Sequence, residues 1–193
     1  SVEGRVAFDG STVSLQAINL SFPEADVTLD GRIVRVLDTT AFDLRYTGVA
    51  RLATAATWLA APMRVDGTAT LAGTITGLLD AALLEGTCTS DNLALGQARG
   101  LRVTGKARIT PDALTLTPLT LTSGDGVAEA RVVVPFDDEA PVTVGAEWRR
   151  LPLATVLAIT EQDALPVAAT LEGTLTLDLG TGPTAQMTLD LEN

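Results

Sequence analysis

Leucine and threonine alternate along residues 114–122 in the stretch LTLTPLTLT. Alternation with a period of two is typical of a β-strand with one apolar and one polar face. The alternation slips by one residue at Pro118, which in a regular strand moves Leu119 and Leu121 to the face opposite Leu116. We therefore predict a bulge or corner here, at which the strand curves or exchanges its faces.

The same slip occurs near the start of the chain. STVSLQAINLS (residues 11–21) aligns with DALTLTPLTLT (residues 112–122) at an offset of 101, and Ala17 takes the place of Pro118, so proline is not its cause. Three further pairs of segments match at an offset of 101 or 100: GRVAFDG with GKARITP, LATAATWLA with LATVLAIT, and TLAGTITG with TLEGTLTL. The chain is therefore two copies of one β-repeat unit, residues 1–100 and 101–193, the second truncated.

Most of each unit shows period-two patterning bounded by Gly, Asp or Pro, which predicts strands. Apolar residues spaced i, i+3, i+4 and i+7 predict one short helix per unit, near residues 52–60 and near residues 153–160. Helices of this length are unstable alone and must pack on the sheet. The predicted fold class is mostly β, with repeated antiparallel strands and one short helix per repeat.

Hydrophobic residues make up 46% of the 193 residues, and the mean hydropathy is +0.29. The apolar residues are dispersed, so we predict no membrane-spanning helix within the chain. A thin sheet cannot easily hide this many apolar side chains. Either two sheets close into a sandwich, or one face stays open and apolar, as binding surfaces often do.

The net charge of −11 opposes a nucleic-acid partner, because phosphates must be neutralised by basic side chains. The chain has no histidine, which removes the most common general base and metal ligand. Its single cysteine, Cys88, is interpreted as a small buried strand residue. Asp125 and residues 137–139 form an acidic region, either a solvated turn or a calcium site. We predict no catalytic residue, no metal site, no cofactor and no enzymatic activity.

Strands of the pattern x-x-L-x-G-x-L recur as VTLDGRI (27–33), ATLAGTI (69–75) and ATLEGTL (169–175). Together with the order strand, short Leu/Ala helix, strand, they resemble the periplasmic AsmA-like/TamB (translocation and assembly module) family over essentially the whole chain. The resemblance implies an elongated, curved, U-shaped or taco-like sheet with a hydrophobic groove. It also implies a periplasmic parent protein anchored in the inner membrane by a helix that lies outside this chain. We therefore expect this chain to be a segment of a longer polypeptide.

The function implied by the resemblance is phospholipid transport between the inner and outer membranes, outer-membrane protein assembly, or both. The implied partners are phospholipid acyl chains and, through the parent protein, an outer-membrane barrel of the TamA/BamA type. An acyl chain needs a dry aliphatic wall, which leucine, valine and isoleucine supply. The candidate groove-lining residues are Leu15, Leu29, Leu71, Leu116, Leu171 and Leu175.

Two alternatives remain open from the sequence. The repeats can form a closed β-core that acts only as a structural spacer, because period-two patterning does not distinguish a core from a groove. An extracellular adhesin or carbohydrate-binding β-solenoid is the other alternative. Such binders usually display aromatic platforms, and the large polar-tipped aromatic residues here are Tyr46, Trp58 and Trp148.

Overall fold

The computed structural model describes residues 1–35, 39–54, 64–137, 140–163, 165, 168–178 and 184–192. It contains a sheet of thirteen strands. The strands are β1 (Val2–Asp9), β2 (Thr12–Ser21), β3 (Ala25–Val34), β4 (Ala41–Arg51), β5 (Val65–Asp66), β6 (Thr68–Leu78), β7 (Leu83–Leu95), β8 (Ala98–Ile109), β9 (Ala113–Ser123), β10 (Gly126–Pro135), β11 (Thr143–Pro152), β12 (Thr170–Asp178) and β13 (Thr184–Glu192). One α-helix, α1 (Leu153–Ile159), and one 3-10 turn, Leu79–Ala81, complete the described elements.

The sheet is an antiparallel meander in which successive long strands are neighbours from β1 to β13. The short β5 leaves this path and pairs with the end of β7. Within the described sheet, β1 pairs only with β2 and β13 only with β12, so these two strands do not pair with each other. The prediction of a mostly β chain with repeated antiparallel strands is confirmed.

The two units contribute the same series of elements. β1–β4, β6 and β7 of the first unit correspond to β8–β13 of the second, and β7 pairs with β8 so that one sheet runs through both. The helix predicted near residues 153–160 is confirmed as α1. Residues 52–54 are helical, and the remainder of the helix predicted near 52–60 lies outside the described residues.

Both phase slips are β-bulges. In β9, Leu116 lies opposite Val132 and Leu119 lies opposite Ala130, so residues 117 and 118 together face one residue of β10. In β2, Leu15 lies opposite Gly31 and Ile18 opposite Leu29, so residues 16 and 17 face one residue of β3. The bulge predicted from the sequence is therefore confirmed at equivalent positions of both units.

The expected exchange of faces at the bulge is wrong. Val132 and Ala130 are two residues apart on β10 and share one face, so Leu116 and Leu119 opposite them share that face as well. The additional residue of the bulge compensates for the one-residue slip in the alternation of apolar and polar residues, so the apolar side chains before and after it point to the same face. The bulges thus keep the apolar residues of β2 and β9 on one side of the sheet.

Directly opposed residues of an antiparallel sheet point to the same face, so the register defines rows that run across the strands. We call the side that these rows define the apolar face. The first row consists of Ile18, Leu29, Tyr46, Gly73, Gly86, Ala107, Leu116, Val132, Val144, Leu177 and Ala185. The second row consists of Val2, Leu20, Val27, Gly48, Leu71, Cys88, Gly105, Leu119, Ala130, Ala146, Leu175 and Met187. The third row consists of Val6, Leu15, Gly31, Leu44, Ile75, Leu84, Ile109, Leu114 and Val134.

Helix α1 covers one end of the apolar face, which we call the capped end. Here Leu93, Ala98 and Leu101 form a buried cluster, and Leu101 is only 1% exposed. The side chains packed around this cluster are Leu52, Val65, Leu95, Val103, Leu121, Ala158 and Ile159. A hydrogen bond of 2.7 Å from the Gln97 N–H to the Ala158 carbonyl ties the end of the helix to the β7–β8 turn.

The rest of the apolar face has no second layer in the described part of the chain. A compact monomer of 20.0 kDa is expected to expose about 8,700 Å², whereas this chain exposes 12010 Å². The additional surface follows from the single-layer architecture, because a sheet that packs on another layer buries one face completely.

Candidate binding face

The six leucines predicted from the sequence all lie on the apolar face. Leu29 and Leu116 belong to the first row, and Leu71 and Leu175 belong to the second. Leu15 belongs to the third row. Leu171 shares a face with Leu175 because the two residues are four positions apart on a regular strand.

Five of these leucines are half-buried, and the sixth differs. Leu171 is 3% exposed and lies opposite Leu151, the last residue but one of β11 before α1 begins. A side chain buried to this extent contributes to packing rather than to an open surface. The structure therefore retains Leu15, Leu29, Leu71, Leu116 and Leu175 as candidates for contact with a ligand and assigns Leu171 to the core.

No charged side chain belongs to the three rows, of which the second runs from β1 to β13. Their polar groups are the hydroxyl of Tyr46 and the thiol of Cys88. Burial raises the pKa of both groups, and the Cys88 charge would raise that of Tyr46 further. Both groups are consequently neutral near neutral pH, and this surface is a continuous uncharged wall.

An aromatic side chain lies against glycine in each unit. Tyr46 is opposite Gly73, and its hydroxyl approaches the positions that a Cβ at Gly73 or Gly86 would take. Trp148 is opposite Gly173, and its ring lies 2.8 Å from the position of a Cβ at that glycine. The rings therefore cover adjacent backbone, an arrangement that compensates for the missing glycine side chains.

Sequence alignment at the offset of 101 missed this correspondence between Tyr46 and Trp148. β11 contains a bulge between Trp148 and Leu151, and within it Arg150 adopts a left-handed backbone with φ of 48°. Tyr46 and Trp148 are 102 positions apart, so an alignment at an offset of 101 places Tyr46 against Glu147 instead. The shared glycine of TLAG and TLEG, at positions 73 and 173, was the available signal.

The opposite side of the sheet, the polar face, carries threonine and charged side chains. Its ion pairs include Arg102 with Asp91 at 2.7 Å, Arg149 with Glu147 at 2.6 Å and Arg32 with Asp43 at 3.0 Å. Pairs this exposed contribute little to stability, because water and salt screen them. Their main consequence is hydration of this side, so the two sides of the sheet differ sharply in their affinity for water.

The structure gives no support to the calcium alternative. Among the described residues, no group of three or more His, Cys, Asp or Glu side chains is arranged to hold a metal ion. Two of the acidic residues considered, Asp138 and Glu139, lie outside the described residues. The described helices also include none that is both long and apolar enough to cross a membrane.

Comparison with known proteins gives no match to a family model, to a curated protein or to a solved structure.

Proposed function

We propose that the chain is a segment of an AsmA-like/TamB-type periplasmic bridging protein, and that its apolar face binds the acyl chains of phospholipids. The parent protein would be anchored in the inner membrane and would meet an outer-membrane barrel of the TamA/BamA type. Its activity would be phospholipid transport between the membranes, outer-membrane protein assembly, or both, without enzymatic chemistry. The observation that supports this proposal is an uncharged aliphatic surface that crosses both units.

The chemistry of the surface suits an acyl chain. Leucine, valine, isoleucine and alanine offer dispersion contacts without directional hydrogen bonds, and each buried methylene contributes about 0.8 kcal/mol. The first row spans eleven strands from β2 to β13, which corresponds to about 48 Å at a strand spacing of roughly 4.8 Å. Equivalent contacts along this length would let a chain slide without a large barrier at any one position.

The proposed cross-section is U-shaped, with the apolar face on the inside and a short helix in each repeat. The β2 and β9 bulges support this shape, because bulges bend a strand and increase its local twist. A curved sheet would shield the apolar face from water. Small-angle X-ray scattering of the chain tests this shape, since a flat sheet of the same residues would have a larger radius of gyration.

A photocrosslinking experiment distinguishes a lipid-binding face from a spacer. Benzoylphenylalanine at Leu116 or Leu29 would be irradiated with vesicles of phosphatidylethanolamine and phosphatidylglycerol, and adducts would be identified by mass spectrometry. The matched controls are Thr115 and Thr28, each the immediate neighbour on the polar face. We expect phospholipid adducts at the two leucines at a yield at least tenfold above the controls.

Equal capture on the two faces, or none at either leucine, would reject the proposal and favour the spacer. Leu171 is a further internal control, because its 3% exposure predicts little capture even though it shares the face. Capture at Leu171 equal to that at Leu116 would mean that the label had disrupted the fold.

The adhesin-type β-solenoid receives no support from the strand pairing. All pairings in the described sheet are antiparallel, for example β2 with β3 and β9 with β10, whereas a β-solenoid stacks parallel strands. Tyr46 and Trp148 lie against glycines of neighbouring strands rather than forming an exposed platform. The purely structural spacer remains the alternative that the crosslinking experiment decides.

A further inference from the structure

We propose that the bulge of β9 forms a binding site for a phosphate group on the polar face, between Lys106 and Arg131. This site lies on the side of the sheet opposite to the apolar face, so the proposal does not depend on what the apolar face binds. It rests on a difference in charge between two bulges that the strand register makes equivalent.

Lys106 and Arg131 flank the bulge of β9 from its two neighbouring strands. Lys106 lies between the two residues of β8 that face Leu119 and Leu116. Arg131 lies between the two residues of β10 that face the same two leucines. Since side chains alternate along a strand, both cations point to the polar face. Their strands are two spacings apart, about 10 Å, and Thr117 of the bulge lies between them.

An open hollow of about 800 Å³ lies over this part of the polar face. Its charged lining residues are Glu85, Lys106, Arg108 and Arg131, and Thr117 is among the threonines that line it. The Glu85 carboxylate lies 3.7 Å from the Arg108 guanidinium, whereas Lys106 and Arg131 have no ion-pair partner among the described residues. The hollow therefore collects unpaired positive charge in a chain whose net charge is −11.

The bulge of the first unit carries a different pair of charges at the same two positions. Arg5 corresponds to Lys106, and Asp30 corresponds to Arg131, both at the offset of 101. The β2 bulge is thus flanked by one cation and one carboxylate, and the β9 bulge by two cations. The two bulges share their backbone register but differ in their need for an anion.

The backbone of each bulge gives the reason for this difference. In β2, the Ala17 N–H donates a hydrogen bond of 2.8 Å to the Asp30 carboxylate. In β9 the equivalent residue is Pro118, which has no N–H to donate. A carboxylate at position 131 would have no such donor, and Arg131 stands there instead. The second bulge therefore provides two cations without an anion of its own.

The chemistry of these groups suits phosphate. An arginine fork forms two parallel hydrogen bonds with phosphate oxygens, and a lysine ammonium adds a compact charge with three donors. The Thr117 hydroxyl adds a further donor between them. A phosphate monoester carries about −1.5 to −2 charges at pH 7, which matches two unpaired cations better than the single charge of a carboxylate does.

The position of the site restricts the source of the phosphate. A lipid whose acyl chains lie on the apolar face cannot place its headgroup here, because the sheet lies between them. The phosphate therefore belongs to a separate molecule, either a soluble phosphate monoester or a headgroup that a membrane presents to the polar face.

Titration of the intact chain with inorganic phosphate, followed by two-dimensional NMR, tests the site. Ionic strength is held constant with chloride. We expect saturable shifts of the Lys106, Thr117 and Arg131 amide signals and no saturable shift at Arg5 or Asp30 of the first bulge. Equal shifts at the two bulges, or no saturable shift at either, would overturn the proposal.

Substitutions that remove one charge each test the assigned residues. Arg131→Gln and Lys106→Gln should each weaken phosphate binding at least threefold, and the double variant at least tenfold. All three residues changed in these experiments are exposed, so their substitution should leave the fold intact. Arg45→Gln is the matched control, because it removes the same charge from the polar face at β4, outside the hollow. It should change the affinity less than twofold, and a loss equal to that of Arg131→Gln would contradict the site.

Cosedimentation distinguishes the two sources of phosphate. Vesicles of phosphatidylcholine, with and without phosphatidic acid, would be mixed with the chain and with the Lys106→Gln/Arg131→Gln double variant. Since the apolar face can also bind vesicles, the readout is the binding that phosphatidic acid adds and the double variant loses. Such a loss assigns the phosphate to a membrane surface, and saturable NMR shifts without it assign a soluble phosphate monoester. Binding that phosphatidic acid adds equally to both chains, without NMR shifts, would reject the site.

Discussion

The capped end and the open part of the apolar face are built from the same kinds of residues but differ in what lies over them. At the capped end, α1 and the end of β7 reduce the exposure of Leu101 to 1%. In the open part, Leu116 and Leu29 remain half-exposed although they occupy the same side of the same sheet. Position on the apolar face therefore does not by itself make a leucine part of the core.

This difference separates stability from binding. A side chain already buried by α1 cannot gain much from a ligand, whereas a half-exposed leucine still has surface to remove from water. We expect mutations at the capped end to lower the free energy of unfolding, and mutations in the open part to affect ligand binding with smaller effects on stability.

The largest expected loss in the free energy of unfolding is for a mutation at the capped end. Leu101→Ala should lower the free energy of unfolding by about 3 kcal/mol, because it removes buried methylene groups and leaves a cavity beside Leu93. Urea denaturation measures this loss. Leu116→Ala in the open part is the matched change and should cost about 1 kcal/mol. Equal losses for the two variants would contradict the division of the face.

The second effect concerns close packing in the open part. Gly73→Ala should cost about 2 kcal/mol, because its Cβ would meet the Glu85 carbonyl oxygen and the Tyr46 hydroxyl. Gly145→Ala is the matched control, since no atom lies within 4 Å of its Cβ position. The control should be neutral or stabilising by up to about 1 kcal/mol, because alanine loses less chain entropy. Thermal denaturation of the two variants provides the comparison.

A smaller effect tests how α1 is held on the sheet. The hydroxyls of Ser123 and Thr155 form a hydrogen bond of 2.9 Å between the end of β9 and the helix. Thr155→Val should lower the free energy of unfolding by about 1 kcal/mol. A double-mutant cycle with Ser123→Ala should show coupling, whereas purely additive losses would mean that this bond does not stabilise the capped end.

The smallest expected effect is on the pH dependence of the free energy of unfolding, at the strand ends near residues 52–54. The pKa of Asp26 lies below its ordinary value because of hydrogen bonds with Ser21 and with Arg51, the latter at 2.7 Å. A depressed pKa in the folded state gives stability that is present above the unfolded pKa and is lost as the pH falls through the folded pKa. Asp26→Asn should therefore reduce the acid sensitivity of unfolding below about pH 4.

An NMR titration of the Asp26 carboxyl gives the direct measurement. Ser21→Ala removes the hydrogen bond that contributes most to the lowered pKa of Asp26, and it should move that pKa back toward its ordinary value. An unchanged titration in that variant would assign the shift to Arg51 alone.

The sequence predicted much of the local structure. Period-two alternation indicated the strands, the i, i+3, i+4 pattern indicated α1, and the recurring phase slip located both bulges. The six leucines proposed to line a groove lie on a single face by the strand register. These features follow from local patterning, because alternation and turn residues act within a few positions of the chain.

The sequence by itself thus determined a mostly β chain of repeated antiparallel strands. Only the tertiary structure decided which face the residues after each bulge occupy, that Leu171 is buried while Leu116 is not, and that Tyr46 and Trp148 are equivalent. The physical reason is the same in each case. Register, bulges and the position of α1 are set by contacts between strands distant in sequence, and these contacts leave no periodic signal within a single strand.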